Sequence, residues 1–479
     1  MVSLKLAERS LGLVSTIILA HLLVPQDFGL IAMAMTIIAA LELLGAFSFD
    51  MALIQNLQAD RRHYDTVWTF NLIFAAISAA LLVLLAGAMA AFYSEPRLEY
   101  VMYWLSLGTL IQGFENVGVV AFRKQMEFDK EFKFLFGKKI SSVLVTIPLA
   151  IAFESYWALV FGMITGKVVG VLLSYTTHPY RPRFSFAAYH DLFHFSKWML
   201  LNNIIGFLRT RAADFFVGKL SGPHSLGVFV MSSEIANLPT TELCAPINRA
   251  VFPGFSNLTK DMDEFRRNFV GIAGMIALLA LPAALGITVT AELLVPVLLG
   301  PNWLDAIPLI QILALNGCLL AIQNNNGLAM LAMGRPKLLT YLNALTAVLL
   351  LSSVSVLTYY YGAVGTAVAF LGTTILLFPV NYYYALKLLN LRATTLFAVM
   401  WRPLVAVLLM TAIVKLYIYS FTDAITFASK LLLLLSAVAL GALAYIAIIF
   451  LLWSLSGYPR GAEQYIVAYL RKRFRSGET

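Results

Sequence analysis

Charge is scarce in this chain: Asp, Glu, Lys and Arg make up 12% of its 479 residues, about half the share found in soluble domains. Hydrophobic residues fill 60%, and together the two figures exclude a soluble protein. Cysteine is almost missing. Cys244 and Cys318 both lie in apolar runs, which leaves at most one disulfide and no C-x-x-C or zinc-ligand spacing. Long polar segments are lacking as well, so there is no room for a soluble catalytic domain. No P-loop is present, and His190 and His194, though four apart, have no acid-rich cluster beside them. Nucleotide hydrolysis and a metal centre are therefore not indicated, and the sequence calls for no cofactor.

What the chain does have is a succession of apolar runs suited to crossing about 30 Å of hydrocarbon. Fourteen spans are read at 11–24, 29–47, 67–92, 101–122, 140–153, 157–176, 198–217, 226–251, 269–299, 306–333, 338–360, 363–386, 403–419 and 431–453. Lys5 and Arg9 ahead of the first run resemble the start of a signal peptide. Pro25-Gln26-Asp27 offers no small-residue cleavage site, however, and a second span follows at once, so the run is read as a true first helix. The run at 140–153 is short, and that at 226–251 carries Pro239 and Pro246. Both are kept because the charge alternation needs them. With the N-terminus in the cytoplasm, 27 of the 34 Lys and Arg fall on the inside, counting Arg249 at the inner end of the eighth span with the segment that follows, three fall outside and four lie deeper within spans. The positive-inside rule then predicts that both termini are cytoplasmic. The same distribution accounts for the net charge of +9: the basic residues face anionic headgroups and form no nucleic-acid surface. The tail from Tyr458 interleaves Tyr465, Ile466, Tyr469, Leu470 and Phe474 with Arg471, Lys472, Arg473 and Arg475, a pattern suited to an interfacial helix on the inner leaflet.

An internal repeat organises the spans. Residues 20–33 and 218–231 share Leu22/Leu220, Pro25/Pro223, Gly29/Gly227 and Met33/Met231 at a constant offset of 198. Each copy ends an odd span, turns outside the membrane and enters an even one. Spans 1–6 and 7–12 then form two six-helix lobes running parallel, related by an axis along the membrane normal, with spans 13 and 14 left over. Pro and Gly suit the tight reversal between the helices.

The residues 22–29, the stretch from Asp214 through Gly218, Pro223, Leu226 and Gly227 to Pro239, Pro246-Ile247-Asn248-Arg249-Ala250-Val251-Phe252-Pro253, Leu299-Gly300-Pro301-Asn302-Trp303 and Gly334-Arg335-Pro336-Lys337 are together similar to the polysaccharide/oligosaccharide flippase family. These Wzx-like transporters belong to the multidrug/oligosaccharidyl-lipid/polysaccharide (MOP) superfamily. The resemblance spans roughly residues 1–455. It implies an all-α membrane protein with two six-helix lobes in a V around a cavity, often with two further C-terminal helices. The expected partition is 1–197, 198–390, 391–455 and a basic tail 456–479. It also implies alternating access that carries a lipid-linked oligosaccharide from inner to outer leaflet.

Charges inside spans are the candidate site, since each costs about 2.5–3.5 kcal/mol at mid-bilayer. On span 7, Arg211 and Asp214 lie about 60° apart and can pair, while Arg209 is about 160° from Arg211. The group is either a structural ion cluster or a cavity surface offering a guanidinium fork to a pyrophosphate. Lys167 on span 6 is too deep for easy snorkelling and is a second cavity candidate. Glu42 and Glu115, with Gln112 one turn from Glu115, either bind a coupling cation or balance a basic residue. Glu234 and Glu242 sit beside prolines that either only kink span 8 or break it and free carbonyls. Asn316, Gln323 and Asn324 on span 10, with Asn325 and Asn326, make a polar wall suited to sugar hydroxyls or to interhelical hydrogen bonds.

The expected function is a non-enzymatic flippase of a bacterial inner membrane. Its substrate would be an undecaprenyl-pyrophosphate-linked oligosaccharide for exopolysaccharide, capsule or O-antigen assembly, and its expected partners are the bilayer, a polysaccharide polymerase and export machinery. A drug or toxin extruder of the same superfamily would favour an acidic, aromatic cavity. A membrane glycan polymerase or ligase would need a sizeable outside loop with catalytic Arg or His, and the outside segments hold only Arg97, Lys219 and Lys430.

Overall fold

The computed structural model describes residues 2–43, 49, 53–54, 58–244, 247, 255, 258, 261–421, 426–459 and 463–464. Of the side chains within them, those of 2–9, 190–202, 209 and 242 are not described. The described chain is almost wholly helical, as expected where no water is available and each backbone group must be satisfied within its own segment. The first helices are α1 (Val2–Leu22), α2 (Pro25–Glu42), α3 (Arg61–Tyr93), α4 (Arg97–Gly113), a short α5 (Val120–Lys124), α6 (Phe128–Phe153) and α7 (Trp157–Thr177). Then come α8 (Tyr189–Ala236), α9 (Met262–Leu298), α10 (Ala306–Ala332), α11 (Pro336–Leu389), α12 (Ala393–Tyr419) and α13 (Phe427–Leu455).

Two of these are pairs of spans joined without a loop: α8 reverses at Gly222 (φ 79°) and α11 at Gly362 (φ 59°). At a positive φ a Cβ is strained, so glycine is the residue that lets one helix turn directly into the next. With those breaks counted, each of the fourteen spans expected from hydropathy has its helical segment. Two boundaries differ. The helix expected to start at Ile140 starts at Phe128, because its first turns are amphipathic and resemble a basic loop. Regular helix in the eighth span stops at Ala236, followed by a π-helical turn over Pro239–Cys244. Beyond Cys244 most of that span, like most of the basic tail, lies outside the described residues.

The chain divides into two compact units, Met1–Val230 and Met231–Thr479. The partition expected from the repeat puts a boundary at 197/198; the observed division falls later, and residues 223–227 pack within the first unit. There α3 packs on α4, α6 on α7, α4 on α7, α1 on α6, and α2 on both α3 and α4. The two turns cross at their glycines. A Cβ added at Gly29 would overlap the Pro223 carbonyl oxygen, and one at Gly227 would overlap that of Pro25. Neither glycine has a positive φ. Space alone excludes a side chain there, at positions where glycine disfavours a helix by about 1 kcal/mol relative to alanine.

The segment after α7 runs extended along α3 as a strap. Arg183 N–H donates to Asp65 Oδ1 (2.9 Å), Ser185 N–H to Thr69 Oγ1 (3.0 Å) and Ala188 N–H to Thr66 Oγ1 (3.2 Å). Trp68 and Phe184 add an edge-on ring contact.

In the second unit α9 is the central post. It packs on α10, α12 and α13, while α11 closes over α10. Phe265, Phe269, Ile276 and Ala280 of α9 are buried with Cys318 and Ile322 of α10 and with Met410 and Val414 of α12. Cys244 and Cys318 are both free thiols. Large apolar side chains such as Leu84, Leu432 and Leu455 remain exposed, as lipid-facing surfaces of a multi-pass membrane protein require.

Candidate functional site

Inside the first unit, polar groups line a cavity of about 300 Å³: Glu42 from α2, Asn71 and Ser78 from α3, Thr109 and Gln112 from α4, and Glu115 just beyond. The cavity exists because α4 cannot continue. After Gly113 the chain bends by 67° into residues 117–124, and Asn116 holds the corner. Its N–H donates to Ser174 Oγ (2.9 Å), its Nδ2 to the Tyr180 carbonyl (2.7 Å), and its Oδ1 accepts from Gly118 N–H (2.9 Å). Glu115 is thereby presented from a non-helical corner instead of being packed into a helix face.

Glu115 meets Lys138 of α6, whose Nζ lies 2.7 Å from Oε2. Both side chains keep about a quarter of their surface accessible, 24% and 27%. Lys138 reaches across α7 at Gly170, where a Cβ would stand 2.8 Å from its Cε. Lys167 lies against Gly108 of α4 in the same way, with a corresponding distance of 3.3 Å to its Cδ. Lys167 is within electrostatic reach of both Glu42 and Lys138, and Glu42 also of Arg211. Arg211 Nη1 donates to Asp214 Oδ2 at 3.2 Å; the carboxylate side chain is 8% exposed and the guanidinium 46%. The pairing expected from helical spacing is present, and it leaves part of the arginine accessible.

The structure therefore pairs Glu115 with Lys138 and Arg211 with Asp214, sets Glu42 on the cavity wall with Glu115, and lays Lys167 against α4. Sequence reading assigned Lys138 to a basic loop. The signal that could have placed it is Phe128, Phe132 and Phe136, whose spacing extends the helix backward. The side chains of Arg209 and Glu242 lie outside the described residues. In the second unit, Glu234 and Asn324 are exposed, and Gln323 is half-buried, its Nε2 without a hydrogen-bond partner among the described residues. Asn316 is buried and accepts from Thr374 Oγ1 (2.6 Å), and Asn325 Nδ2 donates to the Phe269 carbonyl (3.1 Å). Those two bonds are interhelical, the structural alternative for that wall.

Transporter bundles of the MOP superfamily share this fold. The inward closed conformation of the lipid II flippase MurJ matches with a TM-score of 0.76 at 12% identity, covering 94% of this chain and 98% of that one. An inward-facing multidrug resistance MATE family transporter matches with a TM-score of 0.64 at 15% identity, covering 81% and 96%. At the level of sequence, the family model described as polysaccharide biosynthesis protein matches residues 18–308, and the chain belongs to that family. It is similar to the lipopolysaccharide biosynthesis protein WzxC of Escherichia coli K12, 25% identical over 385 residues, or 79% of this chain and 77% of that protein.

Proposed function

We propose that this protein is a flippase that moves a polyprenyl-pyrophosphate-linked oligosaccharide from the inner to the outer leaflet of a bacterial inner membrane by alternating access. It would work beside a polymerase and export machinery, with both termini cytoplasmic as the distribution of Lys and Arg requires. The observation that carries this reading is the partly accessible set of charges, Glu115 paired with Lys138 and Arg211 with Asp214, with Glu42 on the same cavity wall as Glu115, all set among membrane-spanning helices. A sugar-pyrophosphate head cannot enter hydrocarbon because each unpaired polar group costs several kcal/mol. Wet cations on a polar wall remove most of that cost, and an arginine fork matches a phosphate with two donors.

Glu42 and Glu115 are the carboxylates at which an exchanging cation would compete with Lys138 and Lys167. Gln323 and Asn324 of α10 are proposed to face sugar hydroxyls. The membrane voltage adds about 2.3 kcal/mol per charge per 100 mV, so an inside-negative potential favours outward passage of the anionic head.

The test is translocation of a defined lipid-linked oligosaccharide by the purified chain in liposomes. Replacing Lys167 and Arg211 by Gln, with Asp214→Asn so that no buried carboxylate is left unpaired, is expected to lower the rate at least about tenfold, the equivalent of 1.4 kcal/mol, relative to Asp214→Asn alone. Unchanged headgroup movement would refute the anion site. The two cavity carboxylates favour a second reading, a cation-coupled drug extruder, which predicts dye efflux from the same liposomes and no glycolipid movement.

A further inference from the structure

Along α7, Gly162, Gly166, Gly170 and Ser174 recur at every fourth position and all are buried, so they form one stripe on the helix. The stripe faces α6 where Thr146, Ser142 and Lys138 stand at the same spacing. What the glycines make room for changes along it. A Cβ at Gly162 would overlap the Thr146 hydroxyl and lie 3.2 Å from the Ser142 carbonyl oxygen; one at Gly166 would lie 3.3 Å from Ser142 Cβ and 3.4 Å from the Lys138 carbonyl oxygen. These two glycines let the backbones approach, the usual work of small residues between membrane helices. At Gly170 the three nearest atoms all belong to the end of the Lys138 side chain: Cε at 2.8 Å, Cδ at 3.0 Å and Nζ at 3.2 Å. This glycine makes room for a lysine stem. The same arrangement recurs in the first unit, with Lys167 on Gly108 of α4 and Lys139 on Gly12 of α1, where Nζ is 2.5 Å from the position a Cβ would take.

One turn further on, Ser174 holds the other partner of the ion pair. Its Oγ accepts from the Asn116 N–H at 2.9 Å. Asn116 follows Glu115 in the chain, so this bond fixes the non-helical corner that presents the carboxylate. Lys138 and Glu115 come from different elements, yet successive positions of one α7 stripe set them both.

We propose that Gly170 and Ser174 are positioning residues for the Lys138–Glu115 pair: Gly170 passes the lysine stem across α7, and Ser174 anchors the corner that carries Glu115. What the pair is used for, as a place where an exchanging cation competes, rests on the flippase reading, whereas its geometry does not depend on the cargo. A methyl group at Gly170 meets only the end of a flexible side chain, so it displaces the ammonium and leaves the two helix backbones in place. Loss of the Ser174 hydroxyl leaves the Asn116 N–H unpaired and loosens the corner. Either change breaks the 2.7 Å contact without removing a charge.

The experiment is zero-length crosslinking of the full chain with a membrane-permeant carbodiimide, read by mass spectrometry of the digested protein. The reagent activates the Glu115 carboxyl, the Lys138 amine displaces it to form an amide, and the carboxyl oxygen leaves on the reagent as a urea. Coupling of two groups depends steeply on their separation, so Gly170→Ala and Ser174→Ala are each expected to lower the yield of the Lys138–Glu115 link at least about threefold. Gly206→Ala, with open space around it, is expected to leave the yield at the parent's level. A smaller loss in either folded variant overturns the role of that residue, and an equal loss in Gly206→Ala overturns both.

Should Gly170→Ala fail to fold with the lysine present, melting temperatures decide, measured in a Lys138→Ala, Glu115→Gln background from which the pair is gone. There Gly170→Ala is expected to raise the melting temperature, because alanine is the better helix former and no lysine stem needs the notch. Gly162→Ala is expected to lower it in the same background, since the Thr146 hydroxyl and the Ser142 carbonyl are still in the way. A fall or no change for Gly170→Ala would mean that this glycine serves the approach of the helices, and would overturn its role. Neither measurement involves transport, so failure of this proposal is distinguishable from failure of the flippase reading, which shows as a parent protein that moves no glycolipid.

Discussion

Lys138 and Glu115 show what one ion pair can contribute in a membrane bundle. Their 2.7 Å contact joins α6 to the corner after α4, and each partner covers the other's charge where water is limited. Removing one partner leaves a partly dry charge unpaired, whereas removing both leaves none. Lys138→Met is therefore expected to destabilise the protein by about 1–3 kcal/mol, and Glu115→Gln by a similar amount. The double variant should recover part of the loss, as a double-mutant cycle of detergent-solubilised melting curves would show. Additive losses would mean that the pair is not coupled. The individual charges of the site were legible in the sequence: Glu42, Glu115, Lys167, Arg211 and Asp214 each stood out as ionisable residues in apolar runs. Their partnerships were legible only where helical spacing imposes them, as for Arg211 and Asp214. Lys138 pairs across 23 residues through a broken helix, and nothing local to either residue encodes that meeting.

At the scale of elements, the spans could be read from hydropathy because lipid demands the same apolar length from each. Their ends could not, because a helix that leaves the membrane and turns amphipathic looks like a loop, as at Phe128. The strap after α7 was also hidden: it is extended chain whose N–H groups are satisfied by Asp65, Thr66 and Thr69 side chains one helix away. His178 begins it. Its Nδ1 accepts from Tyr180 N–H at 3.1 Å, and burial lowers its proton affinity below the ordinary value of 6.5, with Lys130 and Arg181 acting in the same direction and Glu127 against. The folded strap thus binds fewer protons than the unfolded one, so its stability falls as pH drops through about 6.5. Hydrogen exchange over residues 178–188 is expected to quicken below that pH, and His178→Gln to flatten the dependence.

A second tether joins α12 to the segment that follows α13. Arg402 donates to Glu463 through Nε (2.8 Å) and Nη2 (3.3 Å), and both side chains are almost fully buried, at 4% and 5% exposure. Breaking such a pair from one side is expected to cost about 3–5 kcal/mol. Arg402→Ala and Glu463→Ala should each lower the melting temperature by several degrees, and Arg402→Met with Glu463→Gln by less than either. Equal melting of all three would show that the pair carries no stability.

At the scale of the whole molecule, the chain belongs to the polysaccharide biosynthesis protein family and shares its fold with MurJ and a MATE transporter, and the proposed cargo determines how energy should enter. If an anionic head moves outward, the rate of glycolipid translocation in liposomes should rise with an inside-negative potential and fall when the potential is reversed. Insensitivity to voltage would leave the cavity carboxylates as the route of coupling, and Glu115→Gln would then abolish dependence on the ion gradient.

The reciprocity of the Pro-Gly turns also bears on origin. A chain of half this length carrying one such turn would be self-complementary, since the same surface serves as both partners about a two-fold axis. Two copies would dimerise in the arrangement now found within a single polypeptide. Duplication and fusion would then free each half to change alone, as Asp27 opposite Ser225 and Phe28 opposite Leu226 have done, while the touching glycines stay bound to one another's shape.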